Sequence, residues 1–203
     1  FSGFAGAILF GGTRMLKKHD TTEVVPAITE IPPLIRMANP GCSILGVVPK
    51  SQDLKLSNHG LVVENEPDHD FFTTVHPTQD QCLIVQQSAD QGVLWEAEFE
   101  ECMRITDDLK SFAGWKSLLI SYNGGGVTEK EILATARKGW PVLLIKGSGR
   151  KSDEYANNAS FLKQYPNVHV VEKDPHALRE TLFDLGILNL SPEERRNQIR
   201  RIS

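Results

Sequence analysis

The stretch from Lys116 to Arg150 decides the fold: KSLLISYNGGGVTEKEILATARKGWPVLLIKGSGR. Lys116 to Tyr122 reads as a largely apolar strand, Asn123-Gly124-Gly125-Gly126 as a loop, and Thr128 to Lys138 as a helix. The unit then repeats. Pro141 to Lys146 is a strand, Gly147-Ser148-Gly149 a loop, and Ser152 to Gln164 a helix. Val168 to Val171 is a third strand, Lys173-Asp174-Pro175 a turn, and Pro175 to Leu185 a third helix. Strands that alternate with helices and are apolar on both faces belong in a parallel sheet covered on both sides.

The fold class expected is therefore α/β: a Rossmann-like doubly wound, mostly parallel sheet with helices on both faces. Toward the N-terminus, Ala5 to Phe10 reads as a buried strand entering Gly11-Gly12-Thr13. Thr21 to Met37 is an interrupted helical pattern, broken by Pro26 and Pro32-Pro33, and Cys42 to Val48 is a second strand. Leu61-Val62-Val63 suggests a short strand, while the acidic, proline-containing stretch from Glu64 to Asp80 reads as a long surface loop or insertion. Cys82 to Gln86 is a strand, and Gln91 to Leu109 carries Leu94, Trp95, Phe99, Cys102, Met103 and Ile105 at helical spacing. Ser191-Pro192-Glu193-Glu194 has the chemistry of a helix start, followed by a charged helix. The expectation is one domain over 1–190, with residues 50–80 as its loop or insertion, and a C-terminal helix over 191–203 that serves as a connector.

Composition narrows the function classes. The chain has 203 residues, 40% hydrophobic and 24% charged, with a formal net charge of -4. That is an ordinary globular composition, and the negative balance disfavours DNA or RNA as a partner. A small phosphorylated ligand needs only local positive potential. Cys42, Cys82 and Cys102 form no CxxC pair, so reduced thiols in a cytosolic compartment are expected, two of them in the core. No apolar run approaches the roughly 20 residues needed to span a bilayer, and no signal peptide is visible, so a cytoplasmic location is expected. The chain starts Phe-Ser-Gly, as an excised domain would, leaving room for an attached membrane or effector domain. His59, His69 and His76 lie near Glu66, Asp68 and Asp70, but the spacing fits no zinc pattern; a solvated loop and no metal are expected. Trp95, Trp115 and Trp140 are expected in the core.

Glycine clusters after strands carry the chemistry. They are Gly11-Gly12-Thr13-Arg14, Asn123-Gly124-Gly125-Gly126-Val127-Thr128 and Gly147-Ser148-Gly149-Arg150. In an open parallel sheet ligands bind beyond the carboxyl ends of the strands. Glycine permits positive φ and close approach, and a following helix offers free N–H groups and a positive dipole end to phosphate. Thr13, Thr128 and Ser148 offer hydroxyls, and Arg14 and Arg150 offer charge-assisted contacts. Asp153 is placed to hold Arg150, to bond a ribose hydroxyl or to compensate a helix dipole; Glu129 and Glu131 open a helix as dipole-compensating acids or as site carboxylates. The expected ligand-binding set is Gly11, Gly12, Thr13, Arg14, Gly124, Gly125, Gly126, Thr128, Glu131, Gly147, Ser148, Gly149, Arg150 and Asp153.

These residues carry a resemblance. Gly147-Ser148-Gly149-Arg150-Lys151-Ser152-Asp153 resembles the GSGRxxD signature of the LSDAT branch of the SLOG superfamily, which includes the cytoplasmic amino-terminal domain of TRPM channels and prokaryotic TRPM-like SLOG proteins. Phe10-Gly11-Gly12-Thr13 resembles that family's first loop, and Asn123 to Glu131 resembles the PGGxGTxxE loop of the wider SLOG and LOG families. The resemblance spans about residues 6 to 185. It implies a Rossmann-like fold and binding of nucleotides related to ADP-ribose, with Gly11, Gly12, Thr13, Gly125, Thr128, Gly147, Ser148, Arg150 and Asp153 lining the ligand. Asn123 stands where the pattern has proline, and Val127 where it has glycine. LOG enzymes cleave a nucleotide N-glycosidic bond with a glutamate, matched by Glu131, and an arginine, for which Arg104 is the candidate.

The expected function is a ligand sensor for an ADP-ribose-type or cyclic nucleotide signal in a bacterial defence or signalling system, non-catalytic and homo-oligomeric, with the nucleotide as ligand and no other cofactor. The alternative is a LOG-like nucleotide N-glycosidase (phosphoribohydrolase) using Glu131 and Arg104. A third reading is a scaffold that keeps the fold without binding.

Overall fold

The computed structural model describes residues 4–17, 19–20, 22, 31–50, 54–57, 60–63, 70–75, 80–86 and 96–189. The chain divides into two compact units, Ala5–Asp107 and Asp108–Ser203 with Phe1–Phe4.

In Ala5–Asp107, β1 (Ala7–Phe10), β3 (Ser43–Lys50) and β7 (Gln81–Gln86) form a parallel sheet in the order β1-β3-β7. Ile44, Val47 and Val48 of β3 are fully buried, as a central strand requires, and Ile35 of α1 (Ile31–Ala38) is buried as well. One acid ties these elements together. The Asp80 carboxylate accepts from Ile44 N (2.7 Å) and pairs with Arg36 of α1, while Asp80 N donates to Ile44 O (2.8 Å). The Ile44 amide, then the Arg36 guanidinium, hold that carboxyl below its usual range.

A second, antiparallel sheet follows the order β2-β6-β5-β4, from β2 (Thr13–Lys17), β4 (Leu54–Ser57), β5 (Gly60–Val63) and β6 (Phe71–Val75). Thr13 pairs with Val75, Val62 with Thr74, and Leu54 with Val63. This departs from the sequence reading at two places. The stretch read as a surface loop holds β6, because Phe71-Phe72-Thr73-Thr74-Val75 is an aromatic and β-branched run. Gly11-Gly12 leads into strand β2 and not into a helix, because Thr13-Arg14-Met15-Leu16-Lys17 finds a partner strand in β6.

Asp108–Ser203 with Phe1–Phe4 is built around β9 (Val142–Lys146), flanked by β8 (Leu119–Ser121) and β10 (Val168–Glu172), all parallel. Val142 to Ile145 is buried at every position. Val142 and Leu144 face one side, against Ile132 and Ala136 of α3 (Gly126–Arg137), Tyr155 of α4 (Arg150–Ala156) and Phe161 of α5 (Ala159–Gln164). Leu143 and Ile145 face the other, against Leu182 of α6 (Pro175–Asp184) and Leu188. The period-two alternation of one strand thus feeds two cores.

The single helix expected over Ser152–Gln164 is two, because Asn158 takes up the capping role: its side chain accepts from Phe161 N at 3.0 Å. Helix α2 (Glu96–Ala113) runs further than the expected end at Leu109. Trp115 is 45% exposed and so is not a core residue, and Trp140 carries the ammonium groups of Lys110 and Lys138 over its ring at 5.2 and 4.6 Å. Trp95 and the terminal helix over 191–203 lie outside the described residues. Cys42 is buried and Cys102 half-buried, neither in a disulfide.

Leu144 touches one core from the centre of the sheet and is fully buried. Leu144→Ala is expected to cost about 2–5 kcal/mol, read as a fall in the denaturant midpoint. An unchanged midpoint would show that β9 is not the centre of this unit.

Candidate functional site

β8 and β9 are parallel neighbours, with Ser121 beside Leu144, so the loops that leave their carboxyl ends emerge side by side. Asn123 (φ 63) and Gly124 (φ 82) shape the first loop; Gly147 (φ 83), Gly149 (φ 103) and Arg150 (φ 46) shape the second. Hydrogen bonds lock the two loops together. Ser148 Oγ accepts from Asn123 N at 2.8 Å and donates to Ile145 O at 2.6 Å. Ser152 N donates to Asn123 O at 3.0 Å, and Lys151 N to Gly124 O at 3.4 Å. Beneath them Ser121 Oγ and Ser152 Oγ share a buried hydrogen bond of 2.7 Å.

These contacts reassign several sequence-predicted ligands. The Ser148 hydroxyl is committed to the two loops. Asp153 Oδ1 accepts from Gly147 N at 2.7 Å, so this acid closes the GSG turn. The second and third amides of α4, Lys151 N and Ser152 N, donate to the Gly124 and Asn123 carbonyls, so they are not offered to a phosphate. Glu129 accepts from Tyr155 Oη (2.7 Å) and Lys151 Nζ (3.2 Å), pinning α3 to α4. The Tyr155 hydroxyl, then Lys151, hold the Glu129 carboxyl below its usual range, while burial and that carboxylate push the tyrosine up to about 12.

Helix α3 is different. Its N-cap is Gly125, with no side-chain cap, and a helix leaves its first amides without internal partners. The Arg150 guanidinium comes to this end: a Cβ on Gly125 would stand 2.8 Å from Arg150 Nη2. Among the described residues no carboxylate pairs with Arg150. A guanidinium with no carboxylate partner among the described residues therefore sits at the positive end of a helix dipole. Arg150 also holds a φ of 46°, which costs a non-glycine residue on the order of 1–3 kcal/mol. Thr128 packs directly against Gly124, where an added Cβ would stand 2.5 Å from Thr128 Cβ. Gly126 has open space around it.

Glu131 lies one turn into α3 and is largely buried, and desolvation pushes its carboxyl up to about 7. Its sequence-predicted partner Arg104 lies on α2 within Ala5–Asp107 and pairs there with Glu101, Nε to Oε2 at 2.9 Å. Gly11, Gly12, Thr13 and Arg14 belong to that same unit. The carboxylate of Glu98, a residue the sequence reading passed over, crowds Gly11: a Cβ there would stand 3.1 Å from Glu98 Oε1. That face of Gly11 meets the Glu98 side chain, not open space. Arg14 Nε is buried without a hydrogen-bond partner.

Among the described residues no group of three or more His, Cys, Asp or Glu is placed to hold a metal. His59, His69 and His76 lie outside them. No helix among the described residues is long and apolar enough to cross a membrane.

No protein-family model and no curated protein matches the chain. A solved X-ray structure of the structural-genomics target TM1055 is similar, at a TM-score of 0.50 and 15% identity, covering 88% of this chain and 78% of that one. The likeness is one of fold: a mixed α/β, Rossmann-like architecture with parallel sheets flanked by helices.

Gly124→Ala must both hold a positive φ and displace Thr128, so it is expected to destabilise by roughly 2 kcal/mol or more in denaturant unfolding. Gly126→Ala is expected to leave stability within about 1 kcal/mol of the parent. Glu131 carries its own pH signature. Its folded pKa, about 7, is above the ordinary carboxyl value of 4.5, so the folded state binds the extra proton and loses stability as pH rises between those values. Glu131→Gln is therefore expected to raise the melting temperature at about pH 8 and to leave it unchanged near pH 4, the gain bounded by roughly 3 kcal/mol. An equal gain at both pH values would remove the desolvated carboxyl from the account.

Proposed function

We propose that this chain is a nucleotide-binding sensor domain of SLOG type, in the LSDAT branch, that recognises the phosphate of an ADP-ribose-type or cyclic nucleotide at the N-terminus of α3. The observation that carries this reading is the Arg150 guanidinium: unpaired among the described residues, held on a strained backbone, and seated over Gly125 at the positive end of an uncapped helix. Gly124, Gly125, Gly126 and Thr128 supply the amide-lined turn and a hydroxyl. Gly147, Ser148, Gly149 and Asp153 hold that turn in place and aim Arg150. Binding acts as a signal when the ligand favours one conformation or assembly over another, with no turnover needed. In a cytoplasmic setting, residues 1–190 would form the sensing domain and 191–203 the connector to an effector or membrane partner.

The alternative, a LOG-like phosphoribohydrolase, draws support from one observation. A carboxyl pushed up to about 7 is poised for proton transfer near neutral pH. Against it stands the commitment of Arg104 to Glu101. Incubation with AMP or ADP-ribose followed by chromatography separates the readings. The sensor leaves the nucleotide intact and gains melting temperature; the hydrolase releases free base.

In a thermal-shift panel of AMP, ADP-ribose and cyclic nucleotides, Arg150→Ala is expected to remove most of any stabilisation, a loss on the order of 1.5–3 kcal/mol for a charge-assisted contact. A variant that keeps the full shift would move the phosphate away from α3.

A further inference from the structure

Two turns stand side by side at the amino edge of the sheet β10-β9-β8, the edge opposite the candidate phosphate site. One leads from α2 into β8 and the other from α3 into β9, and Leu119 N at the start of β8 donates to Pro141 O at 3.1 Å. Each helix gives way to a glycine in the left-handed region, Gly114 (φ 65) and Gly139 (φ 71). A Cβ added to either glycine would meet nothing within 4 Å, so both turns project outward. All six residues from Ser111 to Lys116 are exposed, with Phe112 at 88% and Trp115 at 45%. A single exposed aromatic residue needs no explanation, but two of them three residues apart on one projecting turn form an apolar tip.

Cations surround this tip, all within Asp108–Ser203. Lys116 follows Trp115, and its Nζ lies against Gly186 beyond the end of α6. Lys110 and Lys138 bring their ammonium groups over the Trp140 ring from the ends of α2 and α3. Arg137 is exposed in the last turn of α3. The last turns of α2 and α3 hold no acid, and Asp184 ends α6. The negative ends of helix dipoles account for the place of these cations but not for the exposed rings beside them. We propose that the turn Ser111–Lys116 is an interfacial membrane contact, which seats Phe112 and Trp115 among the headgroups of an anionic bilayer while the neighbouring cations meet the lipid charge. Aromatic rings flanked by lysine suit the boundary between headgroup and acyl chain, and basic residues beside them favour anionic lipid. Charge and shape select this occupant. A second copy placed across a twofold axis would set these cations against the same cations. An outward turn offers no groove to a peptide, whereas a flat, negative surface complements it.

Co-sedimentation of the full 203-residue chain with phosphatidylcholine vesicles, with and without phosphatidylserine, tests this. The parent is expected to pellet with the phosphatidylserine vesicles and to stay in solution with phosphatidylcholine alone. Phe112→Ser combined with Trp115→Ser is expected to weaken binding about tenfold or more at an unchanged melting temperature, because both rings are exposed. Lys116→Gln and Arg137→Gln are each expected to weaken it about fivefold. Equal pelleting with both kinds of vesicle, pelleting with neither, or full binding by the aromatic double variant overturns the proposal. Sedimentation velocity without lipid tests the other occupant. A parent dimer that the aromatic variant disperses, with no vesicle binding, assigns the turn to a second copy and overturns the lipid contact.

Discussion

The Ser148 hydroxyl is the contact on which the carboxyl edge of the C-terminal sheet depends. It accepts from Asn123 N and donates to Ile145 O, so one oxygen joins the loop after β8 to the end of β9. Because the two strands are parallel neighbours, their loops leave at the same edge of the sheet, and the bridge joins them there. Asp153 then closes the second turn from below through Gly147 N. With both turns fixed, Arg150 has a defined origin from which to reach Gly125. The order of dependence runs from strand pairing to loop geometry to the placement of one charge.

The two glycine loops look equivalent in sequence, yet they do different jobs. The amides of Lys151 and Ser152 in α4 are spent on the carbonyls of Gly124 and Asn123, so the GSG loop braces its neighbour. The start of α3 has no such partner among the described residues, and the guanidinium of Arg150 lies beside its N-cap, Gly125. Glu129 adds to the division of labour: it joins α3 to α4 through Tyr155 and Lys151 and so holds the receiving helix against the bracing one.

The sequence made some of this legible and hid the rest, for identifiable reasons. The apolar run Val142-Leu143-Leu144-Ile145 announces a strand buried on both faces, and that strand is the centre of its sheet. The glycines at 124, 147 and 149 adopt positive φ, as their composition suggested. Hidden were the partners. Hydroxyls at Ser148 and a carboxylate at Asp153 read equally well as ligands or as loop fasteners, and only their hydrogen bonds decide. The antiparallel sheet was masked because β4, β5 and β6 are four or five residues long and interspersed with acidic and turn-forming residues. Glu98 beside Gly11 carried no local signal, since 87 positions separate them in the chain and only the fold brings them together. Trp115 was misread because a large aromatic ring next to a strand is buried more often than not, and here it is 45% exposed.

The hydroxyl pair of Ser121 and Ser152 has a consequence for how this sequence can drift. Both groups lie in the dry interior and each satisfies the other at 2.7 Å. Losing one strands its mate without water or partner, which costs more than the bond itself was worth, whereas replacing both with alanine costs little. The two positions therefore act as a joint constraint. Natural variation is expected to keep both hydroxyls or neither, and a lineage that changes one will be driven to change the other.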